Sequence, residues 1–459
     1  MISLTMSEIA SATQGRLVGA DISIKQVSTD SRNISAGDLF IALKGPNFDG
    51  HQFISDVVQQ GAVAVVVEQA QTGCTVPQLV VADTKLALGA LGALVKAKLS
   101  LKSVAVTGSV GKTTVKEMMA AILSRIGNVL ATAGNFNNEI GVPLTLLRLE
   151  PQHNYAVMEL GANHLGEIAY TTSLVKPDVA LITNVGAAHL EGFGDLFGVA
   201  RAKGEIYTGL SEQGLAIVPL DSEFHSYWLQ RLTHLRVQTF SAEQVADFYA
   251  ENIVLDSNGC AGFTMHTPNG QCFIQLVLPG RHNVANALAA AAATLGLGAS
   301  LTDVQLGLAA MKPVKGRINV NQPRPGLRII DDTYNANSES VKAATDLLAS
   351  YAGTRILVLG DMGELGPDAR LYHEEVGAYA KQAGINHLFT LGVLSQNASE
   401  LFHAQGAHFS SRSQLVAKLA PFLTGAAEVS ILVKGSRSAR MELVVQDLLE
   451  RCQQETDAC

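Results

Sequence analysis

"VAVTGSVGKTTVKEMMAAIL", residues 104–123, runs from a short apolar strand through a glycine-rich turn into a helix. Val104, Ala105 and Val106 have the character of a buried strand, and residues 107–112 form the turn. Val115, Met118, Met119, Ile122 and Ile126 then recur at helical spacing, which places Lys112 and Thr113 at a helix N-terminus. Backbone N–H groups and the positive end of the helix dipole converge at such a point and suit a polyphosphate. Gly108 and Gly111 permit close backbone approach, Lys112 reaches outer phosphates, and Thr113 offers a hydroxyl to magnesium. Val106 stands where the commonest phosphate loop, G-x-x-x-x-G-K-[ST], has its first Gly. A chance glycine-rich turn is the bland alternative, but strand, turn, Gly-Lys-Thr and helix in one run argue for a nucleotide site.

The totals set the frame for that site. A chain of 459 residues accommodates about three domains, each with its own core. Hydrophobic residues make up 47% and charged residues 16%, yet no apolar run approaches the roughly 20 residues of a membrane span. The first residues, "MISLTMSEIASATQGR", carry Glu8 and no basic residue before Arg16, unlike a secretory signal, so a cytoplasmic protein is expected. A net charge of -8 gives no reason to bind a polyanion along its length, and nucleic acid is not an expected partner. The five cysteines (Cys74, Cys260, Cys272, Cys452 and Cys459) form no C-x-x-C pair and read as reduced thiols.

Outward from the loop, strand-like runs end repeatedly at polar or Gly-rich turns. "GDLFIAL", "AVAVVV" and "QLVVAD" precede an Ala/Leu-rich helix, "TKLALGALGALVKAKL", that reads as a connector. "KSVAVTG", "NYAVMELG", "DVALITNVG" and "LAIVPLD" follow as a strand-loop-helix series, the pattern of a parallel sheet with sites at the carboxyl ends of its strands. After "GLAAMKPVKGR" the pattern restarts with "LRIIDDTYNAN", "RILVLGDMG", "HLFTLG" and "SILVKGSR", so a third α/β unit begins there. No repeat array is visible.

Other strand ends carry candidate chemistry. Glu159 closes "YAVMELG", where a carboxylate could complete a magnesium site with Thr113. His189 follows "LITNVGAAH" at the same sheet edge, and Lys203 lies in "VARAKGEIYTGL". Alone, a lone His reads as structural and a Lys beside Glu205 as a solvated surface pair. A GTPase switch is a weak rival: Asp195 to Gly198, "DLFG", fits D-x-x-G, but no N-K-x-D is present for guanine. Gly192, Gly194 and Gly198 miss the dinucleotide spacing G-x-G-x-x-G.

"TGSVGKTT", lacking the first Gly, resembles the loop of the Mur ligases and of their folylpolyglutamate synthetase relatives. The resemblance continues in order through "GNFNNEIGVPLTLL", "MELGANHLGEI", "NVGAAHLEGFG", "AKGEIYTGL", "GRHNVANALAA", "KGR", "DDTYNANSES", "LGDMGELG" and "KGSRSARME", nearly the whole chain. The stretch "STDSRNISAGDLFIALKGPNFDGHQFI" resembles a uridine-nucleotide domain of that family. The last three motifs resemble the type that adds D-alanyl-D-alanine to UDP-N-acetylmuramoyl-tripeptide. Ser338 stands where that type usually has Pro.

The resemblance implies a three-domain α/β enzyme, an ADP-forming amide ligase of peptidoglycan synthesis. Residues 1–82 would form the UDP-muramoyl domain. Residues 83–312 would form a central P-loop ATPase domain with a mainly parallel sheet, and 313–459 a Rossmann-like domain for the incoming dipeptide. It further implies ATP at Thr107, Gly108, Ser109, Val110 and Gly111, continuing through Lys112, Thr113 and Thr114. Asn138 would lie near the phosphates, Asn286 at the adenine, Arg317 on the γ-phosphate and Asp332 on the ribose. Two magnesium ions are implied, one held by Thr113 and Glu159, the other by His189 and a carbamylated Lys203. Lys112, His189, Lys203 and Arg317 would carry the catalysis. Ser31, Arg32, Lys44 and Gly45 fall in loops expected near the uridine diphosphate, and Asn335, Asn337, Lys434 and Arg437 in loops for the dipeptide. A monomer is expected, with a hinge near 312–316, where Pro313 and Gly316 break the helical pattern.

Overall fold

The structure, a computed structural model, describes residues 1–187, 190–402 and 405–457. Its frame is three sheets with helices packed on them. The first has five strands in the order Arg16–Val18, Gln78–Val80, Ala64–Val67, Asp38–Ile41, Gln26–Ser28. All pair in parallel except the edge strand Arg16–Val18. The loops holding Ser31, Arg32, Lys44 and Gly45 therefore follow two adjacent parallel strands and share one edge of this sheet.

The second sheet has nine strands, with Lys102–Thr107 between Tyr155–Glu159 and Val179–Ile182. Its strands are parallel as far as Phe248–Leu255, and the last two, Cys260–Thr267 and Gly270–Pro279, turn antiparallel. Strands buried on both faces read as unbroken apolar runs, as "VAV" and "VALI" do here. Helix Lys112–Leu123 buries Val115, Met118, Met119 and Ile122, but it stops at Ser124, and Ile126 is left 37% exposed outside it. The predicted periodicity ran one step too far, because the chain turns there to reach the edge strand Val129–Ala131. Beside it lies the Ala-rich helix Asn283–Gly296, buried almost all round, whose small side chains let the two helices meet closely.

The third sheet runs Asn319–Arg324, Leu327–Asp332, Val429–Lys434, Thr354–Gly360, His387–Leu391, Gly406–Phe409. It is parallel apart from its first strand and has separate apolar cores on its two faces. The fold class is thus as the resemblance implied.

The Ala/Leu-rich helix Thr84–Ala97 joins the first two units by packing between them, against the helices Met6–Thr13, Gly141–Leu146 and Glu167–Val175. One continuous apolar cluster, from Leu4 to Leu232, results. Contact with the third unit is sparser: Tyr351 donates its hydroxyl to the Asn258 carbonyl at 2.8 Å, and Arg317 reaches across to Thr113. Among the described residues no helix is long and apolar enough to cross a membrane. Cys74, Cys260, Cys272 and Cys452 form no disulfide among the described residues, and Cys459 lies outside them.

Candidate active site

The phosphate loop is pinned to the neighbouring strand end. Ser109 N donates to Asn184 O at 3.1 Å, Val110 N to Asn184 Oδ1 at 2.9 Å, and the Thr183 hydroxyl to Val110 O at 2.6 Å. Gly111 caps the helix with φ +85°, and a Cβ there would meet Asn286 Oδ1 at 2.5 Å, so both conformation and space require glycine. Lys112 folds its ammonium back onto the Gly108 carbonyl at 2.6 Å. Burial lowers its pKa, opposed by Glu159 and reinforced by Arg317.

Beyond the loop, the Thr113 hydroxyl is a junction. It donates to Glu159 Oε2 at 2.9 Å and accepts from Arg317 Nη2 at 2.9 Å. Glu159, 2% exposed at its strand end, also accepts from Asn137 Nδ2 at 2.9 Å. A carboxylate so far from water needs such partners, since an unpaired buried charge is costly. This hydroxyl and carboxylate, side by side and oxygen-rich, fit a hard divalent cation. Lys203 is 1% exposed near the end of helix Leu196–Gly204, with its ammonium 5.5 Å from the Phe193 ring centre. Burial first, and then the Lys112 charge, pulls its pKa well below the ordinary lysine value. The surface-pair reading of Lys203 therefore fails. Glu205 instead accepts the backbone N–H groups of Gly166 and Ala169, at the start of helix Glu167–Val175.

The facing wall comes from the third sheet. Arg317 stacks on Tyr334, its guanidinium carbon 4.3 Å from the ring centre. Lys434, 2% exposed at the end of its strand, donates to Asp332 Oδ2 at 2.6 Å and to the Asn335 carbonyl at 2.9 Å. Burial pushes the Asp332 carboxyl up against the pull of Lys434. His282 lies between the walls with its pKa lowered to about 4, first by burial and then by Lys434. Arg437 is mostly exposed and pairs with Glu442 Oε1 at 3.2 Å, while Glu442 Oε2 is buried without a partner.

These groups surround one cleft of about 1730 Å³ between the second and third units. It brings together Lys112, Thr113, Glu159, Lys203, Asn286 and Arg317, and with them Asp332, Asn335, Asn337, Lys434 and Arg437. Asn138 does not reach it: its Oδ1 caps the next turn, accepting from Gly141 N at 2.8 Å. Asn137 lines the cleft instead. Ser31, Arg32, Lys44 and Gly45 stay on the first sheet, outside the cleft, with Arg32 clamped by both oxygens of Asp30. His189 lies outside the described residues. Asn184 and Tyr334 were missed in the sequence; "ITN" at a strand end was the available signal for the first, and nothing local marked the second.

Two local oddities resolve at helix starts. Asp195 of "DLFG" accepts from Gly198 N and caps helix Leu196–Gly204, so it is no switch aspartate. Ser338 is the first residue of helix Ser338–Ala349, the position where Pro is also well tolerated, and its hydroxyl meets Glu375 Oε2 at 3.3 Å.

Three family models match along this architecture. "Mur ligase family, catalytic domain" matches residues 23–96, "Mur ligase middle domain" 106–294, and "Mur ligase, glutamate ligase domain" 316–437. The chain belongs to the Mur ligase family and is a ligase. It is 48% identical over 451 residues to the UDP-N-acetylmuramoyl-tripeptide--D-alanyl-D-alanine ligase of Escherichia coli (strain K12), covering 98% of this chain and 99% of that one. A crystal structure of MurF from Acinetobacter baumannii superposes with a TM-score of 0.94 at 40% identity, covering 98% and 99% of the two chains. The MurF ligase of Thermotoga maritima, solved in complex with ADP, superposes at 0.85 with 27% identity, covering 94% and 98%.

Proposed function

We propose that this ligase joins D-alanyl-D-alanine to UDP-N-acetylmuramoyl-tripeptide in the cytoplasm, at the expense of ATP. The observation that carries this reading is the 48% identity to the Escherichia coli ligase across 98% of the chain. The cleft supports it, since a phosphate loop faces a second wall rich in polar groups. Residues 1–82 would hold the uridine nucleotide through the loops at Ser31, Arg32, Lys44 and Gly45, 83–312 the ATP, and 313–459 the dipeptide, as a monomer.

A carboxylate is a poor electrophile, so amide formation needs a leaving group. The terminal carboxylate of the tripeptide attacks the γ-phosphate, its oxygen forms the new P–O bond, and ADP leaves with the old bridging oxygen. Lys112 and Arg317 offset the crowding of anions at that moment, the electrostatic effect that dominates such transfers. Thr113 and Glu159 would hold one magnesium ion and His189 with a carbamylated Lys203 a second, supplying charge neutralisation to the phosphates. Carbamylation needs a neutral amine, and burial of Lys203 lowers its pKa in the direction that favours one. Asn286 would meet the adenine and Asp332 the ribose. Asn137 holds Glu159 in place. The dipeptide amine then attacks the acyl phosphate carbon, and the tetrahedral adduct expels phosphate to leave the amide. With an α-amino pKa near 8, ~10% of that amine is already neutral at pH 7, so no dedicated base is required. Asn335, Asn337 and Arg437 line the cleft where the dipeptide would sit.

Phosphate release measured with each substrate omitted in turn tests this. All three substrates are expected to be required, and oxygen-18 in the tripeptide carboxylate is expected in the released phosphate. Unlabelled phosphate would overturn the acyl-phosphate route, and turnover with a folate in place of the muramoyl substrate would overturn the substrate assignment.

A further inference from the structure

Six described non-glycine residues have positive φ: Gln14, Lys176, Asn252, Ile318, Glu364 and Arg440. Gln14, Lys176 and Arg440 end helices, where the left-handed conformation is ordinary. Ile318, at φ +52°, ends none and is the only β-branched residue of the six, the side-chain type least tolerant of that region. It sits where the chain enters the strand Asn319–Arg324 of the third sheet.

What holds it is visible on both sides. Before it, Arg317 is drawn toward the second unit by Thr113 and stacked on Tyr334. The turn is tied by Arg317 N to Val314 O at 3.0 Å and by Tyr334 N to Gly316 O at 3.0 Å. After it, the Ile318 side chain packs with Val320 against the core of the third unit. The Ile318 N–H also lies against the Asp332 carboxylate. Arg317 thus binds one body while Ile318 is rooted in the other, and the strained φ is the joint between them. Returning φ to the ordinary negative range swings Arg317 through more than about 100° relative to that strand.

We propose that Ile318 is a loaded pivot: the closed-cleft contacts of Arg317 hold its backbone left-handed, and relief of that strain turns Arg317 off Thr113 and opens the cleft. Strained backbone persists only where its surroundings over-determine it, so loss of the phosphate that Arg317 serves releases the joint. The pivot lies just beyond the 312–316 segment where Pro313 and Gly316 break the pattern. The inference rests on the reading of Arg317 as a phosphate contact.

Substitutions that accept positive φ remove the load, whereas Val keeps it. Small-angle scattering of the full chain without nucleotide is expected to show Ile318→Asn and Ile318→Gly more compact than wild type, with the closed fraction raised about tenfold. Ile318→Val is expected to match wild type. A saturating non-hydrolysable ATP analogue, which keeps the γ-phosphate, should bring all four proteins to the same dimensions. In turnover, the Asn and Gly variants are expected to lower KM for ATP and kcat together, each several-fold, because release slows. Cooperative melting of each variant checks that it folds. Wild-type dimensions for both Asn and Gly, or a Val variant shifted as far as Gly, would overturn the pivot. The scattering arm uses only the ATP analogue, so failure to turn over the muramoyl substrate would overturn the proposed function and leave the pivot standing.

Discussion

The two walls of the cleft treat two of their buried lysines, Lys434 and Lys203, in opposite ways. On the third-sheet wall, Lys434 is matched within the fold, with Asp332 at 2.6 Å and a backbone carbonyl at 2.9 Å. On the central wall, Lys203 has no ion pair among the described residues and faces an aromatic ring. Burial first and the Lys112 cation second favour the neutral amine, against the weaker opposing pull of Glu167 and Glu205. A matched buried pair serves architecture. An unmatched buried amine can instead change its covalent or protonation state when substrate and cations arrive.

The sharpest way to break that contrast is Lys203→Ala. Activity is expected to fall more than about 1000-fold with the fold intact by circular dichroism, and excess bicarbonate should not restore it. Near-normal turnover would return Lys203 to a packing role. On the other wall the effect should fall on stability. Asp332→Ala strands the Lys434 charge and is expected to cost about 3–5 kcal/mol, read as a lowered melting temperature. Adding Lys434→Met to that variant should recover most of the loss, and a loss that persists would mean the pair does not act as a unit.

His282, between the walls, gives the mildest test. Its pKa is depressed to about 4 from the ordinary 6.5, so the unfolded chain binds the proton more readily. The stability it contributes is complete above about pH 6.5 and lost as pH falls toward about 4. His282→Gln should flatten the acid side of a melting-temperature profile across that window. An unchanged slope would show that His282 does not face this charged seam as the structure describes.

Much of the fold was legible because its signals are local. Apolar runs closed by Gly-rich turns mark parallel strands, and "TGSVGKTT" marks a phosphate loop through the conformations its own residues allow. Legibility failed wherever a side chain's partner is distant in sequence. Asn138 and Asn137 are adjacent letters, yet one caps a turn and the other reaches Glu159, a choice set by backbone direction in the loop. Lys203 and Glu205 read as a surface pair because they are near neighbours. In the fold Glu205 turns to the backbone at Gly166, and Lys203 turns inward. Ile126 continued the helical spacing, but periodicity does not say where a helix must stop.

By itself the sequence determined the succession of α/β units, the phosphate loop with its required glycine at 111, and family membership spread over ordered motifs. These depend on local backbone preference and on the order of short patterns along one chain. Only the tertiary structure decided that Arg317 reaches Thr113 over 204 positions and that Lys434 is neutralised by Asp332 over 102. It also buried Lys203 beside the Lys112 cation, with Glu167 and Glu205 offsetting only part of that cost. Electrostatic energy depends on distance and on exclusion of water, and neither is set until the second and third sheets have closed around the same cleft.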